Sequence, residues 1–549
     1  MHHEEPKVYT QEELLPFLLN PKSYPHQPRR VRSLQTHASF VFIASPFVYK
    51  IKKPVNFGFL NFSTLERRRS FCEREVQLNR RLCPDMYLGV VPIVRRAGGF
   101  AFGEGGEVVE YAVQMRKLSD NAFMDKLLER NAISSHDIGR IVSTLKRFYE
   151  SHEPSKEIEK WGRILRLKIS TDENFRQVEG FVGQVVSRAA LDALQFYTKE
   201  FYRRQRGWFA ERVREKWIRD CHGDLHLEHI HITPRALHIY DCIEFNDRLR
   251  YVDVASDVAF LAMDLDYEGR RDLSRKFVAR MSAALRDPAM LHGMNFYKCY
   301  RAFVRGKVES LHSVAPAAPE AERKASAERA RRYFRLALNY AVHDGKPLAL
   351  VIMGRIASGK STVARLVAEE LGWRVFSSDR IRKESAGFPL FERTSVGARQ
   401  RLYSKSMTQR TYRNLMNLAL AEVRQGRSAI LDATFARREQ REALRQRFER
   451  AGVRFRFIEL NAGDAAIRRR LTERERTRAE ISDARLDDFE QLTSIYERPS
   501  RAENVLSVKT TTAPSTAVRT VLLQLAQAHP SPARPGRARS HRGGASFPR

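Results

Sequence analysis

The stretch LALVIMGRIASGKST at residues 348–362 joins an unbroken apolar run to a loop that contains glycine, lysine and serine. An apolar run of this length is typical of a strand covered on both faces of a parallel sheet. The spacing Gly-x4-Gly-Lys-Ser then predicts a phosphate-binding loop, because glycine lets backbone amides approach phosphate oxygens closely at a helix start. We expect Lys360 to reach the β- and γ-phosphates of a nucleotide and Ser361 to hold Mg²⁺. The predicted nucleotide contacts are Gly354, Ala357, Ser358, Gly359, Lys360, Ser361 and Thr362.

Two aspartates follow other predicted strands of the same sheet. Residues 374–376 read as a strand that delivers Asp379, and residues 428–431 read as a strand that ends in Asp432. Open α/β sheets bind ligands at the carboxyl ends of their strands, so we expect both carboxylates beside the phosphate loop. Residues 454–460 supply a further strand. This part of the chain therefore predicts an α/β domain of the P-loop NTPase class with a parallel sheet.

An arginine-rich helix is predicted at residues 465–478. Arginines in a movable segment can close over bound phosphates and neutralise charge in the transition state. A solvated basic helix is the alternative for these side chains. The arginines concerned are Arg468, Arg469, Arg470, Arg474 and Arg476.

Residues 347–527 resemble the phosphate-loop kinases grouped with polynucleotide kinase and zeta-toxin domains. The motifs that carry the resemblance are the phosphate loop, Ser-Asp379-Arg380, Asp432-Ala-Thr and Arg470-Leu-x-x-Arg474. The resemblance implies that Asp379 accepts the proton of an acceptor hydroxyl and that Asp432 orients Mg²⁺ or its water. It also implies that Arg470 and Arg474 belong to a lid.

A second informative stretch, DCHGDLHLEHIHITPRALHIYDCIEFN, occupies residues 220–246. Residues 229–233 and 236–242 read as a hairpin, which brings Asp224 and Asp241 to one end. Two carboxylates there suit phosphoryl transfer, in which one orients the acceptor hydroxyl and the other ligates Mg²⁺. Two turn-forming aspartates are an alternative. A second alternative is a metal site made by His222, His226, His229 and His231.

Upstream, residues 36–43 and 47–53 alternate in polarity and predict a hairpin, with Lys50 and Lys52 on one face of its second strand. A helix at 64–82 follows and carries Glu73 and Glu75. Predicted strands at 88–94 and 110–115 complete a small sheet. Residues 120–219 are predicted to be largely helical.

About residues 30–310 resemble aminoglycoside phosphotransferases and related choline- and protein-kinase-like folds, through His222-Gly223-Asp224, the hairpin and Asp241. The resemblance implies an α+β protein-kinase-like domain in which Asp224 is the catalytic base and Asp241 a magnesium ligand. It implies that Lys50 or Lys52 pairs with Glu75, or with Glu73, to hold the α- and β-phosphates. His229 occupies the position of the family's metal-binding Asn. No glycine-rich loop precedes the lysine strand.

The order of the two halves is similar to that of bacterial proteins that fuse an aminoglycoside phosphotransferase-like domain to an ATP-binding kinase domain. We expect a kinase-like domain at residues 1–312, a helical linker at 313–346 and a P-loop kinase domain at 347–527. Residues 528–549 are rich in proline, glycine and arginine and predict a disordered basic tail.

Composition narrows the class of protein further. The chain has 97 basic and 65 acidic residues among 549, a formal charge of +32 that attracts polyanions. Nucleic acid is one such partner, although nucleotides and phosphorylated metabolites are equally anionic. The chain shows no membrane-spanning run, no signal peptide and no metal-type spacing of its 5 cysteines, which favours a cytoplasmic location.

The function expected from the sequence is ATP-dependent transfer of the γ-phosphoryl group, with Mg²⁺, to a hydroxyl of a small molecule or nucleotide. One alternative is a nucleotide-switched ATPase or binding protein with a degenerate N-terminal kinase domain. Another is a polynucleotide 5′-hydroxyl kinase.

Overall fold

The structure is a computed structural model. It describes residues 11–528, except 59, 152, 317, 344, 393, 477–480, 484 and 512. The predicted basic tail lies outside this part of the chain, apart from Ala528. The chain divides into two compact units. The N-terminal unit comprises residues up to Ser170 together with Arg206–Lys298, and the C-terminal unit comprises Thr171–Gln205 and residues from Cys299 onward.

The strands are β1 (Arg32–Gln35), β2 (Ser39–Ala44), β3 (Phe47–Lys52), β4 (Tyr87–Arg96), β5 (Gly99–Phe102), β6 (Glu107–Arg116), β7 (Ile218–Asp220), β8 (Ile230–Ile232), β9 (Leu237–Ile239), β10 (Tyr251–Asp253), β11 (Leu348–Met353), β12 (Arg374–Ser377), β13 (Ala429–Asp432), β14 (Arg454–Asn461) and β15 (Leu506–Lys509).

The helices are α1 (Gln11–Leu19), α2 (Leu65–Asn79), α3 (Met124–Glu129), α4 (Ser135–Glu150), α5 (Lys156–Glu159), α6 (Ile164–Val178), α7 (Arg188–Arg204), α8 (Arg206–Arg214), α9 (Asp247–Arg250), α10 (Val254–Tyr267), α11 (Arg271–Ala284), α12 (Met290–Ser313), α13 (Glu320–Val342), α14 (Lys360–Leu371), α15 (Ser378–Ser385), α16 (Val396–Leu402), α17 (Lys405–Arg424), α18 (Arg438–Arg450), α19 (Asp464–Arg476), α20 (Phe489–Ser494) and α21 (Pro514–Gln527). Within the described ranges, no helix combines the length and apolar character needed to cross a bilayer.

An antiparallel sheet in the order β1-β2-β3-β6-β4-β5 forms the first part of the N-terminal unit. The predicted hairpin forms as β2 and β3, with Phe42 opposite Tyr49. One face of the sheet packs with Leu14 and Leu18 of α1 in a buried apolar cluster. A second cluster contains Cys72 of α2 and residues of β4 and β6, so α2 packs on β4 and β6, next to the strand β3 that carries the two lysines.

The second predicted hairpin forms as β8 and β9, but both strands are shorter than the sequence pattern indicated. The turn closes where the Thr233 N–H donates to the Ala236 carbonyl at 2.9 Å. Asp241, which was predicted to lie inside the second strand, has a left-handed backbone with φ of 62°. That conformation ends the strand and turns the Asp241 carboxylate toward the loop before β8.

The C-terminal unit is built on a parallel sheet in the order β12-β13-β11-β14-β15. The predicted strands form as β11, β12, β13 and β14. The edge strand β15 was missed because its alternating run, Leu-Ser-Val-Lys, is only 4 residues long. β11 is buried throughout, since helices cover both faces of a parallel sheet of this type.

The charged, alanine-rich helix predicted between the halves forms as α13. It packs against α7, α14 and α21 within the C-terminal unit. Asn339 fixes it, because its Nδ2 donates to the Leu371 carbonyl at 2.9 Å and its Oδ1 accepts from the Trp373 indole at 2.7 Å. Both partners lie where α14 leads into β12, so α13 supports the helix that follows the phosphate loop.

Gly293 lets α12 approach the indole of Trp208 in α8. A Cβ atom on Gly293 would lie 2.1 Å from Cη2 of Trp208, whose side chain is buried and whose Nε1 donates to the Ala289 carbonyl at 3.0 Å. Because the indole has little room to move, we expect Gly293→Ala to lower the free energy of unfolding by about 1–3 kcal/mol in urea denaturation.

Gly139→Ala in α4 is the matched control, because the nearest atom to its Cβ position is 3.5 Å away. It should leave the unfolding midpoint unchanged or raise it, since alanine favours a helix more than glycine does. Equal midpoints for the two variants would contradict the packing role of Gly293.

Candidate functional site

The loop between β11 and α14 has the backbone that its glycines permit. Gly354 has φ of 145° and Gly359 has φ of 94°, and Ala357 between them is also left-handed, with φ of 49°. A Cβ atom on Gly354 would lie 2.5 Å from the Leu460 carbonyl oxygen and 2.9 Å from Ser358 Oγ. The loop therefore folds tightly against the end of β14, and its amides lead directly into the first turn of α14.

Side chains from distant segments hold the outside of the loop. Thr510 Oγ1 donates to the Ser358 carbonyl at 2.8 Å. Arg470 donates from Nη1 to the Ala357 carbonyl at 3.2 Å and from Nη2 to the Thr510 carbonyl. Arg470, predicted as part of a lid, thus braces the loop in this structure. Thr510 was missed because a single threonine after a short strand carries no recognisable signal.

Lys360 extends across the loop, where its Nζ donates to the Arg355 carbonyl at 2.8 Å. Burial lowers the pKa of Lys360, while the Asp432 and Asp379 carboxylates oppose that shift and Arg474 adds to it. The ammonium group therefore lies among the predicted site residues. Ser358 Oγ is buried and has no hydrogen-bond partner among the described residues, as expected for a hydroxyl in a loop that receives phosphate oxygens.

Asp432 lies at the carboxyl end of β13, opposite Ile352 of β11 and Ser377 of β12. Burial raises the pKa of Asp432, while Lys360 and hydrogen bonds from Ser361 and Ser377 hold it back. The adjacent carboxylate and hydroxyl oxygens of Asp432 and Ser361 are the hard donors that Mg²⁺ prefers. The residues present here fit a magnesium ion.

Asp379 follows β12 and lies half-buried in the first turn of α15. Desolvation together with the Asp379 carboxylate raises the pKa of Tyr403, which places the phenol near this aspartate. The Arg382 guanidinium lies over the Tyr403 ring, 4.6 Å from its centroid, and donates to the Leu402 carbonyl at 2.9 Å. The sequence reasoning missed Arg382 and Tyr403, although Arg382 is only three residues from Asp379.

The N-terminal unit places both lysines of β3 against Glu75. Lys50 Nζ lies 2.9 Å from Glu75 Oε1 and 2.7 Å from Asp241 Oδ1. Lys52 Nζ lies 2.6 Å from Glu75 Oε2 and also contacts Glu244. Burial opposes the charge on Glu75, but the two ammonium groups lower the pKa of Glu75. Glu73, the alternative partner, is exposed and pairs with Arg69 instead.

The two lysines differ in access to solvent. The Lys50 side chain is 16% exposed and the Lys52 side chain 1% exposed. Lys52 is therefore enclosed between two glutamates, whereas Lys50 faces the opening where Asp241 lies. Glu244 was missed as a partner of Lys52 because the two are 192 residues apart in the sequence.

Asp224, Asp241 and His229 lie together at one end of the β8–β9 hairpin, as the sequence predicted. His229 Nε2 is 3.5 Å from Asp241 Oδ2, and His229 Nδ1 is 3.7 Å from Asp224 Oδ2. Burial, followed by the neighbouring His226, lowers the pKa of His229 to about 4. The imidazoles of His226 and His229 are poor ligands for Mg²⁺, so the residues present do not fit the magnesium site that the resemblance implied.

The loop that carries Asp224 is positioned by Asp257 at the start of α10. Its carboxylate accepts from the backbone N–H groups of His222 at 3.0 Å and Gly223 at 2.9 Å, and from the Tyr149 hydroxyl at 2.9 Å. Gly223 has φ of 87°, and a Cβ atom there would lie 2.9 Å from the Leu249 carbonyl. Local geometry thus requires the glycine of the His-Gly-Asp motif.

Comparison with known proteins places this geometry in context. The AAA domain family model (AAA_33) matches residues 350–499. The uncharacterized protein Rv2004c of Mycobacterium tuberculosis (strain ATCC 25618 / H37Rv) is 32% identical over 412 residues, which are 75% of this chain and 80% of the relative. The uncharacterized protein Mb2027c of Mycobacterium bovis (strain ATCC BAA-935 / AF2122/97) has the same identity and coverage.

Two solved structures are also similar. A gluconokinase from Sinorhizobium meliloti 1021 has 19% identity and a TM-score of 0.25, and the match covers 33% of this chain and 93% of that chain. The Mycobacterium tuberculosis APS kinase CysC in complex with AMPPNP and APS has 20% identity and a TM-score of 0.24, covering 33% and 98%. The AAA domain match and the parallel sheet give the C-terminal unit a P-loop fold of the nucleotide-binding type.

The close approach of Gly354 to β14 makes a test of the loop. We expect Gly354→Ala to weaken binding of an ATP analogue at least tenfold, because the added methyl group pushes the loop away from the Leu460 carbonyl and disturbs its amides. Calorimetric titration measures the affinity.

Gly452→Ala is the control, because Gly452 is also left-handed, with φ of 63°, but has no atom within 4 Å of its Cβ position. Its substitution also places a side chain on a backbone of positive φ, at the lower cost of the left-handed helical region, and creates no clash. An affinity for Gly354→Ala equal to that of the control would contradict the phosphate-loop assignment.

Proposed function

Because this chain belongs to the family of the mycobacterial protein Rv2004c and carries an AAA domain, we propose that it is an ATP-dependent phosphotransferase. It moves the γ-phosphoryl group of ATP to a hydroxyl of a small molecule or nucleotide, and the C-terminal unit performs the transfer. The observation that carries the proposal is the meeting of Lys360, Asp432 and Asp379 at the carboxyl edge of one parallel sheet.

The amides of the phosphate loop and the Lys360 ammonium bind the β- and γ-phosphates. Ser361 and Asp432 hold Mg²⁺, which neutralises charge on the phosphate oxygens when bound. Asp379 takes the proton of the acceptor hydroxyl while the hydroxyl oxygen forms a bond to the γ-phosphorus. The bond between the γ-phosphorus and the oxygen that bridges it to the β-phosphate breaks. The products are the phosphorylated acceptor and ADP. Arg474 stabilises the negative charge on the phosphoryl group during transfer, and Arg470 keeps the phosphate loop in place.

Separate substitutions of Lys360 and Asp379 distinguish ATP binding from transfer of the phosphoryl group. In a Lys50→Ala background, which limits any contribution from the N-terminal unit, we expect Lys360→Ala to weaken ATP binding and lower transfer about 100-fold or more. Asp379→Asn should keep ATP affinity within a few-fold and still lower transfer about 100-fold, because it removes only the base. Transfer of label from γ-labelled ATP to components of a metabolite extract measures the rate.

Lys346→Ala is the control, since Lys346 is exposed in the turn before β11. Unchanged transfer in Lys360→Ala would contradict the proposal. Label found solely in inorganic phosphate would favour a nucleotide-switched ATPase, and label on an added oligonucleotide would favour a polynucleotide 5′-hydroxyl kinase.

For the N-terminal unit we propose a protein-kinase-like fold, related to aminoglycoside phosphotransferases, that binds ATP. The support is the Lys50–Glu75 ion pair beside Asp241 and the His-Gly-Asp loop held by Asp257. Lys50 is the lysine that contacts the α- and β-phosphates, because Lys52 is enclosed by Glu75 and Glu244. Five buried cysteines, all free thiols, support a reducing, cytoplasmic location.

A binding experiment tests the role of Lys50. In a Lys360→Ala background, we expect Lys50→Ala to weaken the remaining ATP binding at least tenfold, because it removes the ammonium group that faces the opening. Lys53→Ala should bind like its parent, because Lys53 follows the end of the same strand and its Nζ donates to the Thr36 carbonyl instead. If the Lys360→Ala parent protein binds no ATP, the proposal is wrong and the N-terminal unit is a degenerate kinase domain that does not bind nucleotide.

A further inference from the structure

Nitrogen and oxygen donors converge at the open end of the β8–β9 hairpin in the N-terminal unit. Asp224, His226 and His229 each place one ligand atom within 4.8 Å of the others. His226 Nε2 lies 3.5 Å and His229 Nδ1 lies 3.7 Å from the same atom, Asp224 Oδ2. The two imidazole rings are 3.8 Å apart between centroids. Three donors from one short segment therefore lie close enough together to share one cation.

Their spacing matches a small tetrahedral cation. Bonds of about 2.0–2.2 Å to nitrogen and oxygen put tetrahedral ligand atoms about 3.3–3.6 Å apart. The separations of 3.5 and 3.7 Å at Asp224 Oδ2 are close to this range. An octahedral Mg²⁺ with bonds of about 2.0–2.1 Å needs neighbouring ligands about 2.9 Å apart and prefers oxygen. Both the distances and the donor atoms therefore favour a cation that accepts imidazole.

Asp241 supplies the carboxylate that typically orients a ligating histidine. Its Oδ2 is 3.5 Å from His229 Nε2, and its Oδ1 is held by Lys50 at 2.7 Å. His229 Nδ1 donates to the Asp224 carbonyl at 3.0 Å in this structure. When a cation binds Nδ1, the ring proton leaves Nδ1 and Nε2 carries one toward Asp241, so the imidazole stays neutral.

We propose that Asp224, His226 and His229 bind one Zn²⁺-type divalent cation in preference to Mg²⁺, with Asp241 positioning His229. Imidazole ligands select borderline-soft metals over the hard alkaline-earth ions. A metal-bound Asp224 is not available as a base, so the N-terminal unit binds nucleotide without transferring its phosphoryl group. Cation binding at these residues does not depend on catalysis by the C-terminal unit.

Cobalt absorption provides a direct readout on the full-length protein without an affinity tag. After removal of metals by a chelator, Co²⁺ should bind with a single equivalent that gives the strong visible bands of a tetrahedral site. A single equivalent of Zn²⁺ should abolish these bands, and millimolar Mg²⁺ should leave them unchanged. Absence of the bands, or their loss in Mg²⁺, would overturn the proposal.

Variants then assign the bands to this cluster. We expect His226→Ala and His229→Asn to weaken Co²⁺ binding at least about 100-fold and Asp241→Asn to weaken it about 10- to 100-fold. His231→Gln is the matched control, because His231 lies on β8 two residues from His229 and contacts Ser119 instead. Circular dichroism checks the fold of each variant. Bands that persist in both ligand variants, or that vanish in the control alone, would place the metal elsewhere and refute the assignment.

Discussion

The register of β11 with its two neighbours is the constraint on which the C-terminal site depends. Ile352 pairs with Asp432 on one side and with Ile458 on the other, and Asp432 also pairs with Ser377. Parallel pairing therefore brings three loops to one level at the same edge. A shift of β13 by one residue would point Asp432 to the opposite face of the sheet.

The carboxyl edge of the parallel sheet brings together buried charged groups, each of which would be unfavourable to bury alone. Burial raises the pKa of Asp432 and lowers the pKa of Lys360, so it disfavours the charged form of both groups. The attraction between the two opposite charges opposes both shifts. The N-terminal unit handles the same problem with a larger network, in which Lys52 is enclosed between Glu75 and Glu244. Removal of one member of a buried pair leaves an uncompensated charge, which makes such networks intolerant of single substitutions.

Much of the fold and of the candidate site could be predicted from local patterns in the sequence. The phosphate loop, the strand before it and the β2–β3 hairpin are encoded in contiguous residues, and spacing alone was enough to predict them. The sequence could not indicate that Thr510 holds the Ser358 carbonyl 152 residues away, or that Glu244 completes the surroundings of Lys52. These contacts depend on how distant elements pack. The left-handed turn at Asp241 was missed for a different reason, because its flanking residues alternate like a strand.

The pairing of α7 with α21 has a consequence for the time course of biosynthesis. Arg519 of α21 bonds to Asp192 of α7, and 327 residues separate them. A ribosome releases α7 long before it makes α21, and closure of so long a loop carries an entropic penalty. α13 is made earlier and also packs against α7, but the surface of α7 that α21 covers stays open until translation is nearly complete. During that interval α7 is exposed to chaperones and to premature association with other chains.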